Sequence, residues 1–244
     1  MPGILKALAE RIHSVEARST GAFRTVPTGL DAIDRALPHG GLRAGAVHEW
    51  FGVEGTADAP PRASWTPPLI LLIHLARQAS RHGAAVLWVG RHVWPSVHSL
   101  AENGGSLLAA SLFADPADAG ARLWTVDAAL RCPGTVVIAD GSRMNAASSR
   151  RLQLAAEAGG SLGLLARPMQ ESRELSVAAT RWTVVRTGAG GQEQRWSICL
   201  VRSKGVDAMV TQERSWMVER MSSGGIVVVS PDLDVRLDAA PAAA

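Results

Sequence analysis

HEWFGVEGTADAPPRASWTPPLILLIHLA, residues 48–76, begins as a strand-like run, passes through a glycine turn and ends as a helix-like run. A phosphate-binding loop is built in this order, because glycines let backbone amides surround a phosphate at the start of a helix. Such a loop also uses a lysine, and none lies between Gly52 and Ala76. The stretch predicts an α/β fold and leaves nucleotide binding in question.

The composition is typical of one globular domain. The chain has 244 residues, 47% of them hydrophobic, which is enough to bury a substantial core. No apolar run reaches the roughly 18 residues that span a bilayer, so we expect a cytoplasmic protein without membrane contact. Cys132 and Cys199 lack a CxxC spacing and neighbouring histidines, so we expect neither a disulfide framework nor a metal site.

The positive charge is concentrated in the later part of the chain. Residues 1–140 contain 12 basic and 12 acidic side chains, whereas residues 141–220 contain 12 basic and 7 acidic ones. Such a surplus permits contacts with DNA phosphates, but an ordinary solvated surface carries it equally well. The candidate DNA-binding residues are Arg143, Arg150, Arg151, Arg181 and Arg195.

The apolar spacing divides the chain into three parts. We predict an amphipathic N-terminal helix over 1–22, a core domain over 23–221 and a flexible tail over 222–244. In the core, helical patterns alternate with apolar, β-branched runs, which is typical of a parallel sheet covered on both faces. The predicted strands are 46–52, 84–90, 134–140 and 162–167, and the predicted helices are 30–37, with Thr28 as N-cap, 69–83, 95–102, 116–131 and 146–158.

After Pro168 the pattern changes. The runs ATRWTVVRT (179–187), RWSICLVRS (195–203) and SWMVER (215–220) are strand-like and have only turns between them. Such a series predicts antiparallel strands added to one edge of the sheet. The predicted fold is therefore an α/β core with a mainly parallel central sheet, flanked by helices and extended by antiparallel strands at its C-terminal edge.

Several of these segments resemble one superfamily. TGLDAIDRALPHGGLRAGAVHEWFG (28–52) resembles the opening of a RecA-type ATPase core, and HGAAVLWVG (82–90), GTVVIADG (134–141) and WSICLVRSKG (196–205) are similar to its later strands. Within that superfamily the chain most resembles the ImuA group, compact RecA relatives sometimes described as SulA-like. The resemblance implies a RecA-like core over 23–221.

The resemblance also implies a function. ImuA-like proteins are accessory proteins of SOS-induced, error-prone translesion DNA synthesis, part of the bacterial DNA damage response. The implied partners are a Y-family-like polymerase subunit of the ImuB type and an error-prone replicative-type polymerase, with RecA and DNA as further candidates. Two alternatives stay open: a RecA-superfamily ATPase with an atypical phosphate loop, and a cell-division inhibitor of the SulA type.

The nucleotide-binding residues of the RecA family are only partly matched. Gly52, Gly55 and Thr56 match the beginning of its loop, but Arg62 is the only cation between them and the helix. Arginine has a wide planar fork and does not replace a compact lysine ammonium. The family's catalytic carboxylate would fall in VGRHV (89–93), which contains none. We therefore expect no enzyme activity and at most weak ATP binding.

Three further positions match the family's nucleotide site. Asp140 ends a strand where the family holds magnesium-bound water, and the alternative is an acid that caps the next turn. Arg202 and Lys204 match a basic pair that reaches a neighbouring subunit's nucleotide, and the alternative is a solvated strand end. With Gly52, Gly55 and Thr56 they form the predicted vestigial site.

Overall fold

The computed structural model describes residues 24–52, 65–81, 83–187, 194–204, 214–221 and 224–231. The strands, in chain order, are β1 Thr25–Val26, β2 Leu42–Arg43, β3 Ala46–Gly52, β4 Ala85–Val89, β5 Ser111–Ala114, β6 Thr135–Asp140, β7 Leu162–Pro168, β8 Thr180–Thr187, β9 Arg195–Ser203, β10 Arg214–Arg220 and β11 Ile226–Pro231. The α-helices are α1 Asp31–Ala36, α2 Leu69–Ser80, α3 Val97–Ala101, α4 Ser106–Ala109, α5 Ala119–Leu130 and α6 Ala146–Gly159.

Nine strands form one sheet in the order β11-β10-β9-β8-β3-β7-β6-β4-β5, and β1 pairs with β2 separately. The six strands from β8 to β5 are parallel, whereas β9, β10 and β11 continue the sheet as antiparallel strands. The predicted α/β class, with its mainly parallel sheet and antiparallel edge, is confirmed. β3 lies in the interior between β7 and β8, and all seven of its residues are buried.

The two faces of the sheet carry separate hydrophobic cores. Side chains alternate between faces along a strand, so Trp50 packs with the α2 residues Leu71 and Leu72, while Val47 packs with residues of α5 and α6. Burial on both faces explains the continuous apolar runs that mark the parallel strands in the sequence. Within the described residues, no helix combines the length and apolar character that a membrane crossing requires.

The orientation of β8 differs from the prediction. It is parallel to β3, with Thr180 beside His48 and Thr183 beside Phe51, and only from β9 onward does the sheet become antiparallel. The connection from β7 contains a 3₁₀ segment, Met169–Arg173. It is long enough to carry the chain from the carboxyl end of β7 back to the amino end of β8. The prediction that the antiparallel strands begin with the run 179–187 was therefore wrong for its pairing with β3, and no helix pattern in the sequence marks the crossover.

Two strands of the nine-stranded sheet have no counterpart among the predicted elements. β5 is a short strand at one edge of the sheet, where Leu112 and Phe113 remain largely exposed. β11 lies at the opposite edge, inside the segment 222–244 that was expected to be a loose tail, and pairs with β10. Edge strands are covered on fewer sides than central ones, so their sequence pattern is weaker. The predicted helix over 1–22 lies outside the described residues.

The start of α1 corrects the predicted cap. Leu30, not Thr28, is the N-cap residue, and it makes no side-chain capping bond. The Thr28 hydroxyl instead accepts a hydrogen bond from the Leu30 amide at 3.2 Å, which closes a turn before the helix. The Asp34 carboxylate reaches back to accept from the amides of Thr28 and Gly29 at 2.8 and 3.2 Å, a role that resembles the acidic half of a capping box.

Candidate functional site at the carboxyl edge of the sheet

The carboxyl ends of parallel strands meet at one edge of a sheet, where open α/β sheets bind ligands. β3 ends there at Gly52 and β6 ends there at Asp140. β7 lies between them, because Ala166 pairs with both Trp50 and Asp140. Two strand spacings place the ends of β3 and β6 about 10 Å apart. The fold therefore brings Gly52 and Asp140 to the same edge, as the vestigial-site prediction requires.

At Gly52 the chain leaves β3 and comes back to almost the same point. A Cβ atom at Gly52 would lie 1.9 Å from the Thr66 carbonyl oxygen and 3.2 Å from the Pro67 Cα. Only a glycine lets the backbone of the return segment approach this closely. Gly55 and Thr56, together with Arg62, lie in 53–64, outside the described residues.

We expect the Gly52→Ala change to lower the free energy of unfolding by about 1–3 kcal/mol, because the added methyl group must displace backbone atoms of the return segment. Urea denaturation of both proteins measures the difference. The matched control is Gly120→Ala in α5, where a Cβ meets only the Asp118 side chain at 3.3 Å, and alanine there should stabilise slightly. Equal effects of the two changes would contradict the close approach at Gly52.

The start of α2 offers few amides to a ligand. Pro67 and Pro68 have no N–H, and Pro68 is the N-cap residue. The Leu69 amide donates to the Pro67 carbonyl at 2.8 Å, and the Leu71 amide donates to the Pro68 carbonyl at 3.1 Å. Phosphate sites at helix N-termini depend on amides that have no other acceptor. At these four positions around the start of α2, Pro67, Pro68, Leu69 and Leu71, the amides are absent or already occupied.

Asp140 is held by a cation of the protein itself. Its Oδ2 accepts from Arg122 Nη1 of α5 at 2.9 Å, and its Oδ1 accepts from the Ser142 amide at 2.9 Å. Arg122 Nη2 also donates to the Ser142 carbonyl at 3.1 Å. The carboxylate therefore caps the turn after β6 and is neutralised by a guanidinium. This arrangement matches the turn-capping alternative for Asp140.

The segment after β4 carries no carboxylate at the position where a RecA-like base would stand. Arg91 pairs with Asp115 and lies over the Trp94 ring, with its Cζ 5.8 Å from the ring centroid. His92 packs edge-on against Trp65, with the ring centroids 4.7 Å apart. Both side chains at this position therefore make contacts with their own fold.

Sequence reasoning missed a buried ion network next to this edge. Glu49 in β3 is 1% exposed, and its Oε1 accepts from Arg167 Nη1 at 2.8 Å and from the Ser176 hydroxyl at 2.7 Å. Its Oε2 accepts from Arg181 Nε at 2.7 Å. Arg167 is fully buried and also donates to Glu171 at 2.8 and 3.0 Å. The network joins β3, β7 and β8.

Charge in this network is balanced, with two guanidiniums and two carboxylates. Burial lowers the pKa of the Arg167 guanidinium, but Glu49 and Glu171 outweigh burial, so the pKa stays above its ordinary value. Arg167 and Arg181 also lie near the Phe51 ring, with Cζ atoms 5.8 and 4.8 Å from its centroid. A glutamate inside the apolar run AVHEWFG is the sequence signal from which a buried partner could have been inferred.

The predicted DNA-binding arginines differ in their exposure and in their partners. Arg181 is buried and paired with Glu49, which removes it from the candidate phosphate contacts. Arg151 pairs with Asp127 at 3.1 Å and Arg195 with Glu219 at 3.0 Å, and the two arginine side chains are 46% and 44% exposed. Arg143, which has a left-handed φ of 62°, and Arg150 are exposed.

Arg202 and Lys204 lie away from the carboxyl edge. They are at the end of β9, beside the amino end of β8, since Ser203 pairs with Thr180. Thr180 pairs with His48, four residues before Gly52, a separation of about 13 Å along the strand. Arg202 Nη1 donates to the Ser176 carbonyl at 2.8 Å. The pair therefore does not join Gly52 and Asp140 within one chain.

Comparison with known proteins adds no assignment, since the chain matches no family model and no curated protein. Among the described residues, no group of three or more His, Cys, Asp or Glu side chains is placed to hold a metal ion. The carboxyl edge is thus a place where Gly52 and Thr66 come into close contact, bordered by an arginine-paired aspartate and a buried ion network.

Proposed function

We propose that this chain is a non-hydrolysing RecA-like adaptor in SOS-induced, error-prone translesion DNA synthesis. In this role it binds a Y-family-like polymerase subunit of the ImuB type and acts with an error-prone replicative-type polymerase, with RecA and DNA as further partners. The resemblance of 28–52 and the later strands to RecA and to the ImuA group supports the proposal. A parallel sheet with β3 in its interior and the acid-ended β6 two strands away fits a RecA-like core over 23–221.

The observation that carries the non-hydrolysing part is the start of α2. A triphosphate needs free amides and a lysine at this point. Here two prolines supply no amide, and the amides of Leu69 and Leu71 donate to proline carbonyls. No lysine lies between Gly52 and Ala76. We infer that the scaffold serves for protein contact and that any ATP binding is weak.

The pairing of Asp140 supports the same conclusion. A carboxylate that orders water around magnesium needs oxygen lone pairs directed at the ion and a negative charge that the protein leaves available. Arg122 takes up that charge, and the Ser142 amide occupies the second oxygen. This aspartate therefore has a structural role in the proposed adaptor.

Calorimetric titration of the purified chain with magnesium-ATP tests the nucleotide part. We expect a dissociation constant weaker than about 1 mM, roughly 4 kcal/mol of binding free energy or less, and no release of phosphate above a protein-free control. Micromolar affinity with steady phosphate release that the Asp140→Ala change abolishes would overturn the non-hydrolysing role. That outcome would favour the atypical ATPase.

Co-purification from DNA-damaged cells tests the partner. A tagged chain is captured before and after damage, and the bound proteins are identified by mass spectrometry. We expect a Y-family-like polymerase to be enriched after damage, and the purified polymerase to bind the purified chain directly in a titration. Enrichment of a tubulin-like division protein without the polymerase would contradict the adaptor role and favour the SulA-type alternative.

A further inference from the structure

A cavity of about 300 Å³ lies beside α2, away from the sheet's ion network. Its apolar wall comes from the first two turns of α2, with Leu69, Ile70 and Ile73, and from Pro95 before α3. Its polar wall combines the end of α2, the segment that follows α3 and the turn between β10 and β11. The volume is at the lower end of the range for small-molecule pockets, about 300–1,000 Å³.

The polar wall carries two guanidiniums and one carboxylate. Arg220, at the end of β10, donates from Nη2 to Glu102 Oε1. Arg77, in the last turn of α2, donates from Nη2 to the Ser99 carbonyl at 2.9 Å. The same Nη2 atom lies 3.8 Å from Glu102 Oε2. Glu102 can balance one of the two positive charges. One positive charge at the cavity wall remains uncompensated by these three residues.

Both arginines also present a donor without an acceptor. The Nε atoms of Arg77 and Arg220 are buried and have no hydrogen-bond partner in the described part of the chain. Arg77 is only 9% exposed, so water has little access to it. Burial lowers the pKa of the Arg77 guanidinium, Glu102 opposes that effect, and Arg220 lowers the pKa further. Buried N–H groups of this kind are normally satisfied by an acceptor.

We propose that this cavity is a binding site for a carboxylate that carries a short apolar side chain. The carboxylate supplies a second negative charge beside Glu102 for the two guanidiniums, and the apolar group packs against Leu69, Ile70 and Ile73. Charge-assisted bonds from arginine to a carboxylate are among the strongest in proteins. The ligand is either a free carboxylic acid or the C-terminal residue of another polypeptide. The site depends on no nucleotide and no polymerase, so it stands apart from the adaptor role.

The minimal probe is N-acetyl-leucine, and its matched control is N-acetyl-leucinamide, which has the same apolar group without the charge. We expect saturable calorimetric binding of the acid and at least about tenfold weaker binding of the amide, since hydrogen bonds to charged groups are the stronger ones. The peptide acetyl-Gly-Ser-Gly-Leu with a free carboxylate separates the two sources. Its binding indicates a polypeptide C-terminus, whereas binding of N-acetyl-leucine alone indicates a small acid.

Two variants locate the binding. Arg220→Gln removes one guanidinium, and Ile70→Trp adds volume to the apolar wall, and each should weaken N-acetyl-leucine binding by at least about tenfold. The control Arg173→Gln removes an exposed arginine of the 3₁₀ segment Met169–Arg173 and should leave the affinity unchanged. Thermal unfolding checks that each variant is folded, and the two variants alter different walls. No saturable binding of the acid or the peptide, equal binding of acid and amide, or unchanged affinity in both wall variants would overturn the site.

Discussion

Replacing Glu49 by Gln should lower the free energy of unfolding by about 3–5 kcal/mol, the range expected when one partner of a buried ion pair is removed. Glu49 accepts from Arg167 and Arg181, and these arginines are 0% and 7% exposed. The glutamine keeps the size of the side chain and removes its charge, so Arg181 loses the carboxylate of Glu49 and Arg167 keeps only that of Glu171. Urea denaturation with a two-state fit measures the change.

The matched control is Glu219→Gln. Glu219 pairs with Arg195 at 3.0 Å between β9 and β10, but the side chains are 22% and 44% exposed. Ion pairs that water reaches contribute about 0–1 kcal/mol, so we expect a change of that size. If Glu49→Gln destabilises the protein no more than Glu219→Gln does, the network around Glu49 does not hold β3, β7 and β8 together.

The difference between these two pairs also shows which features a sequence can predict. Burial of Glu49 is suggested by its position in an apolar run, because a central strand exposes neither face. Its partners lie 118 and 132 residues away along the chain. No local period encodes such a contact, since it arises only from the strand order. Arg181 was therefore assigned to DNA contact from its charge, although its partner is a buried carboxylate.

The candidate site also has features that the sequence could predict and features that it could not. Gly52 and Asp140 could be placed at one edge from the sequence, because both follow apolar runs and parallel strands end together. Arg122 could not be assigned to Asp140, since the two residues are 18 positions apart and nothing local to α5 indicates which strand end its side chain reaches. The position of Arg202 and Lys204 depends on the orientation of β8, which the sequence did not reveal. Local patterns locate strand ends, and the topology decides which side chains meet there.

The second large predicted effect is a loss of stability at acid pH, which comes from His48. Its Nε2 donates to the Arg43 carbonyl at 3.0 Å, which assigns the proton to that nitrogen and leaves Nδ1 to accept from the Thr180 hydroxyl at 2.7 Å. The same hydroxyl oxygen accepts from the Trp182 indole N–H at 2.6 Å. Full burial is the main cause that lowers the pKa of His48 to about 4. The ring is therefore neutral in the folded protein at neutral pH.

Acidification should lower the free energy of unfolding by about 3 kcal/mol through His48 alone. Between the unfolded pKa of about 6.5 and the folded pKa of about 4, the unfolded chain binds the proton and the folded chain does not, so stability falls as pH falls across that window. Below pH 4 both states are protonated and the loss is complete. Urea denaturation at a series of pH values measures the slope.

His48→Gln should remove this slope, because glutamine does not titrate in the window and can still hydrogen-bond inside the fold. The control is His98→Gln, since His98 is exposed and its loss should leave the slope of the original protein unchanged. His74, whose pKa is also lowered mainly by burial, contributes in the same direction in all three proteins. The comparison between variants therefore isolates the contribution of His48. Equal slopes of unfolding free energy against pH in His48→Gln and His98→Gln would contradict a buried neutral imidazole at position 48.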